Sequence, residues 1–229
     1  MLKQSLLDTW NFFKNHAHTL FFIVLPILIP LQLILALAFP APEISAEATK
    51  LTPDQVAQIF KPFFIALLFA PLYQIAVIYY LESVIKGEPL SRLDCWKLGF
   101  KHWAPYLLLS MIVAFIVGSG VMVFVIPGIF FAVRLSFAKF DLLLKGDSLI
   151  GAIKSSFVET GPHFWTLLRG YIVILSGLTL PYMLLSSILP NILVNILALL
   201  YAVALYIGMT LFSYRVYEMT KADDTPLES

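Results

Sequence analysis

Five charged side chains fall inside or at the ends of otherwise apolar segments: Glu82, Arg134, Lys139, Asp141 and Arg169. Chemistry would concentrate there, because an ionisable group in an apolar setting is costly and needs a partner or a task. Arg134 is the most exceptional. It sits about six residues into its helix, roughly 9 Å at 1.5 Å per residue. Unpaired near a helix centre, an arginine costs about 2.5–3.5 kcal/mol to insert. Two uses are open to it. With Lys139 and Arg169 it makes a cationic site for an anion, an ion or a lipid headgroup. Alternatively it forms a structural ion pair with Asp141, two turns away on nearly the same face, or with Glu82. Lys139 and Arg169 then snorkel to the interface. The ion pair is the preferred expectation.

Other chemistry finds little support. His16, His18, His102 and His163 are the only histidines. No carboxylate or cysteine stands beside them at ligand spacing, so no metal site is expected. HExxH, GxSxG, P-loop and GxGxxG motifs are missing, as is a plausible pair of inward-facing carboxylates. The expectation is a protein that is not an enzyme and carries no cofactor. The single cysteine, Cys95, has no internal disulfide partner.

The elements that position these charges follow from composition. Of 229 residues, 60% are hydrophobic and 13% charged, about half the charge of an ordinary soluble domain. Mean hydropathy is +0.88. Uncharged runs cover Asn15–Pro42, Pro62–Leu81, His102–Val133 and Gly170–Tyr214. A bilayer core takes about 20 apolar residues per helix. These runs exclude a soluble enzyme, a nucleic-acid binder and a disulfide scaffold. Ala36-Leu37-Ala38 has the form of a signal-peptidase site. The apolar stretch before it is long for a signal peptide and carries Pro26 and Pro30, so an uncleaved first helix is expected.

The two longest runs exceed one span. Proline and glycine predict breaks at Pro127-Gly128 and at Pro190-Asn191. The expected fold is all-α: a polytopic membrane protein with spans at 19–39, 63–81, 104–124, 128–144, 165–188 and 192–212. The fourth span, with its three charges, is the weakest. Residues 1–218 form one membrane domain, and 219–229 form a disordered cytoplasmic tail. Thr52-Pro53-Asp54-Gln55 predicts a capped external helix through Phe60. Ten basic residues flank one side of these spans, and only Lys50 and Lys61 the other. The positive-inside rule then puts both termini in the cytoplasm.

The segment before each outward span is amphipathic and expected to lie in the interface. Ser5, Leu7, Asp8, Trp10 and His16 match Ser91, Leu93, Asp94, Trp96 and His102 at a constant offset of 86. Phe157 and His163 match more weakly. The pattern is compatible with three parallel repeats of interfacial helix, helix out and helix back, or with a common demand of inward loops for Trp, Lys and His. Gln32 and Gln74 are expected to bond across helices, and small-x-x-x-small pairs such as Ala204/Gly208 to let helices approach.

Asp8-Thr9-Trp10-Asn11-Phe12-Phe13-Lys14-Asn15, Leu51-Thr52-Pro53-Asp54-Gln55, Val125-Ile126-Pro127-Gly128-Ile129 and Ala152-Ile153-Lys154-Ser155-Ser156 resemble the YciC-like bacterial inner-membrane proteins over most of the chain. The resemblance implies a six-helix integral protein of the inner membrane with no assigned reaction and no catalytic residue to carry over. Arg134 lies outside these motifs. The leading expectation is a non-enzymatic protein with an envelope or lipid-related role. Its partners are the bilayer and anionic headgroups at the cytoplasmic leaflet, with no nucleic acid. A small transporter or channel using Arg134, and a scaffold binding a partner through the external loop, are the alternatives.

Overall fold

The computed structural model describes residues 2–39 and 52–224. Among these the secondary structure is helical, without a strand. The order is α1 (Leu2–Ala38), α2 (Pro53–Ile85), α3 (Arg92–Lys101), α4 (Trp103–Val123), α5 (Val125–Arg134) and the single turn α6 (Ala138–Phe140). A π-helical turn (Asp141–Lys145), α7 (Leu149–Glu159), α8 (Phe164–Ser186) and α9 (Asn191–Asp224) follow. Among the described residues, five helices are long and apolar enough to cross a membrane: α1, α2 from Phe64, α4, α8, and α9 over Leu193–Lys221. Phe115, Met122, Ile126 and Ile188 are each more than three-quarters exposed. Large exposed apolar surface of this kind suits contact with lipid.

The fourth expected span, 128–144, is broken into α5, α6 and the π turn. Its start also differs from the expected break at Pro127 and Gly128. Phe124 alone is extended between α4 and α5, at φ −158° and ψ 150°. Pro127 falls in the first turn of α5, where N–H groups have no intrahelical partner to lose. Gly128 is there for closeness. A Cβ on it would lie 2.2 Å from Val121 Cγ2 and 2.9 Å from Val121 N, so α4 and α5 pack almost backbone to backbone.

Three more expectations change. The amphipathic N-terminal segment is continuous with the first span in α1, because Asn15 to Thr19 contain neither proline nor glycine. The capping box at Thr52 is present: Thr52 Oγ1 accepts from Gln55 N at 3.3 Å and Thr52 N donates to Gln55 Oε1 at 2.9 Å. The helix it starts runs past Pro62 and Pro71 to Ile85 instead of stopping at Phe60. The tail expected from 219 is helical through Asp224, and 225–229 lie outside the described residues. Of the external loop, 40–51 lie outside them too.

The chain forms two compact units, residues 21–107 and residues 1–20 with 108–229. In the first, α3 packs on α2. Ser91 caps α3, accepting from Asp94 N at 3.2 Å. Hydrogen bonds from Lys97 and Ser91 hold the Asp94 carboxyl below the usual carboxylate range. Trp103 Nε1 donates to Leu68 O at 2.8 Å, in the turn that Pro71 deprives of a donor. Gln74 does bond across helices, accepting from Tyr106 OH at 3.1 Å. Gln32 is exposed.

The second unit is built around α9. Leu20, Leu167, Ile207, Leu211 and Phe212 are fully buried. Phe137, Phe140, Tyr214 and Tyr217 form an aromatic cluster; the Phe140 ring lies 5.2 Å from that of Tyr217 and 5.3 Å from that of Tyr214. Ser148 caps α7, accepting from Gly151 N at 3.1 Å. The π turn ends at Gly146 with φ +74°, a left-handed geometry that glycine adopts without steric cost.

Candidate functional site: an arginine at a helix break

Between α5 and α6 the helical ladder is interrupted. In a continuous helix Phe137 N–H would bond Val133 O. Here Val133 O takes Ser136 N at 3.3 Å and Ser136 Oγ at 2.8 Å. The displaced groups are satisfied from α7. Ser156 Oγ accepts from Phe137 N at 3.1 Å and donates to Arg134 O at 2.9 Å. Thr160 Oγ1 lies 3.0 Å from Arg134 O and 2.7 Å from Ser156 O. Both residues are fully buried. Serine and threonine on a neighbouring helix are the usual means of re-satisfying freed backbone groups in a dry interior. Ser156 and Thr160 are spaced i, i+4 and so share a face of α7.

This splint fixes Arg134. Its guanidinium carbon stands 4.1 Å from the centroid of the Phe157 ring and 5.7 Å from that of Phe130. Both are within cation–π reach, worth about 0.5–1 kcal/mol exposed and about 2 when desolvated. Gly161 completes the cradle, since a Cβ there would lie 2.7 Å from Arg134 Nη1. Arg134 Nε is buried without a hydrogen-bond partner among the described residues.

The expected carboxylate is not beside it. Asp141 is fully buried, 2.9 Å from Lys145 Nζ, and accepts from Tyr217 OH at 3.0 Å. Glu82 belongs to the other compact unit and pairs with Lys86 at 2.6 Å. Lys139 Nζ donates to Thr210 Oγ1 at 3.2 Å, and Arg169 is exposed on α8. The five charges therefore occupy separate settings. Arg134 has aromatic rings where an ion pair was expected.

Beside Phe157 runs an apolar groove of about 420 Å³, lined by Ile116, Phe131, Leu135, Ile153, Phe157 and Val158, with the exposed Lys154 among its walls. A flexible aliphatic chain suits such walls, and the only formal charge among them is positive.

Ser156, Thr160, Phe157 and Gly161 were not singled out as a cradle from sequence. One signal was available: two hydroxyl residues at i, i+4 on an otherwise apolar face of α7. His16 lies against Phe12 and His102 against Tyr79. No group of three metal-ligating side chains occurs among the described residues. No family model, no curated protein and no solved structure matches this chain.

Proposed function

We propose that this chain is a non-enzymatic, multi-pass protein of the bacterial inner membrane that binds anionic lipid at Arg134 and Lys154. Both termini are cytoplasmic, as the ten-to-two division of basic residues supports. The broken segment 125–145 makes a sixth crossing beside the five long helices, consistent with the YciC-like resemblance. Ser91 and Ser148 cap α3 and α7 in the same way, and each of those helices precedes a span. That supports a repeat in which the first unit has fused into α1.

One observation carries the lipid reading. Arg134 has no carboxylate partner among the described residues, and its guanidinium rests on a ring that also walls the apolar groove. A cation beside an aliphatic channel matches a negatively charged headgroup with an acyl tail.

The test uses the full chain in vesicles containing photoactivatable phosphatidylglycerol or phosphatidylcholine. Crosslinking to the peptide 153–158 is expected to favour phosphatidylglycerol and to fall several-fold in Arg134→Ala and Lys154→Glu. Equal labelling by the two lipids, or labelling unchanged in both variants, overturns the reading.

The helix break favours a second reading, a small transporter, because discontinuous helices line the binding sites of many transporters. It predicts that Ser136→Cys, in a Cys95→Ser background, reacts from one side with a membrane-impermeant thiol reagent. Failure to react from either side removes it.

A further inference from the structure

A second groove in the same compact unit, of about 290 Å³, runs between α1, α8 and α9. Leu6, Trp10 and Phe13 wall it from α1, Val173 and Gly177 from α8, and Gly208 from α9. The sequence builds it by leaving side chains out. Leu6, Trp10 and Phe13 recur at i, i+4 and i+7, so they share one face of α1. The helices opposite carry glycines. A Cβ on Gly177 would meet nothing within 4 Å, and one on Gly208 would only touch Ile174 Cγ2 at 3.4 Å. Toward the start of α8 the two helices close up, since a Cβ on Gly170 would overlap the Phe212 ring. Thr9 is the only hydroxyl residue in the walls, and its Oγ1 already donates to Ser5 O at 2.7 Å. An apolar occupant is favoured.

Arg169 stands at one end. It shares a face of α8 with Val173 and Gly177, at i, i+4 and i+8. It is exposed and has no hydrogen bond or ion pair among the described residues. Five residues past Phe164, it lies about 8 Å along α8, a helix long and apolar enough to span. Val173 and Gly177 lie one and two turns deeper. Trp10 is 58% exposed on the facing wall, an indole of the kind that settles at headgroup level.

Size chooses between occupants. One turn of helix, 5.4 Å long and about 10 Å across, takes about 420 Å³. That exceeds the whole groove, so a helix of a second copy could only cap it from outside. At about 30 Å³ for a water-sized group, the groove holds about ten methylene-sized groups, the scale of one acyl chain. Charge chooses what lies at the end. A guanidinium without a carboxylate matches phosphate oxygens through its paired N–H donors. A phospholipid joins such a phosphate to such a chain, in the same direction that α8 runs from Arg169 to Gly177.

We propose that the groove between α1, α8 and α9 is a second phospholipid site, with one acyl chain along Gly177 and Gly208 and the phosphate on Arg169. It shares no residue with the groove beside Arg134, and binding here is independent of binding there.

The test uses the full chain in mild detergent with added phosphatidylglycerol that carries a photoactivatable group in one acyl chain, so that labelling reports retained lipid and not a surrounding bilayer. Wild type is expected to be labelled in peptides 6–13 and 173–178, read separately from 153–158. Gly177→Leu fills the groove, and Arg169→Ala removes the phosphate partner. Each should lower labelling at 6–13 and 173–178 several-fold and leave 153–158 unchanged. Arg169 is exposed, so its variant keeps the test decisive if Gly177→Leu does not fold. Wild type unlabelled at these two peptides, or labelling unchanged in Arg169→Ala, overturns the proposal. A wild-type dimer that Gly177→Leu turns into a monomer overturns it in favour of a second copy. Labelling missing at 153–158 alone refutes the Arg134 site and leaves this one standing.

Discussion

Replacing Ser156 with alanine removes the hydroxyl that serves both sides of the α5–α6 break. The effect follows from counting partners. Phe137 N–H has Ser156 Oγ as its acceptor at 3.1 Å, so Ser156→Ala leaves it orphaned in a buried site. An orphaned buried donor costs about 1–3 kcal/mol. Arg134 O loses one donor and keeps Thr160. Thr160→Val does the reverse. Arg134 O keeps Ser156, and no donor is orphaned, so the cost should stay below about 1 kcal/mol. Only the double variant strips Arg134 O of both hydroxyls. It should therefore exceed the sum of the single effects by about 1–2 kcal/mol, a coupling of the size found between residues sharing a partner. Equilibrium unfolding in mild detergent, followed for all four proteins of the cycle, measures this directly. A Ser156→Ala variant as stable as wild type, a Thr160→Val variant costlier than Ser156→Ala, or strict additivity would refute the splint.

Gly128→Ala should destabilise by about 1–3 kcal/mol through overpacking, because the Val121 backbone cannot yield. Gly177 has nothing within 4 Å of a Cβ, so Gly177→Ala should stabilise by up to about 1 kcal/mol through helix propensity; thermal unfolding of both variants checks the contrast. Cys95 is fully buried and burial pushes its thiol up to about 11, so maleimide labelling at neutral pH should begin only on unfolding. Lys145 Nζ lies 2.9 Å from the fully buried Asp141 and also pairs with Glu159, so Lys145→Gln should destabilise by about 1–3 kcal/mol by leaving Asp141 without its cation, read by the same thermal unfolding.

The long apolar helices were legible from charge-free length alone. The expected spans at 104–124 and 165–188 match α4 and α8 to within two residues at each end. What did not follow from the sequence was continuity. Nothing in a window around Thr19 tells whether an amphipathic stretch and a span join, and Pro62 interrupts the helical ladder on paper while α2 runs through it. Local propensity is a weak prior against tertiary packing. Arg134 stood out because it is a charge in an apolar run. Its environment did not, since Phe157 and Gly161 lie more than twenty residues away and meet it only through the break. The ion-pair expectation failed for a related reason. Asp141 is two turns along from Arg134 only if the helix is regular, and α5 ends at Arg134 itself.

The π turn at Asp141–Lys145 bears on how the chain can vary. Such a turn is an α-helix carrying one residue too many. Deleting any one of Leu142, Leu143 or Leu144 would let the segment close as ordinary α-helix. It would also shorten the Asp141–Lys145 spacing from i, i+4 to i, i+3 and shift the ammonium relative to Glu159. Exchanges among apolar side chains at these three positions leave that geometry intact, whereas a one-codon deletion does not. Leucine count, rather than leucine identity, is what inheritance must preserve there.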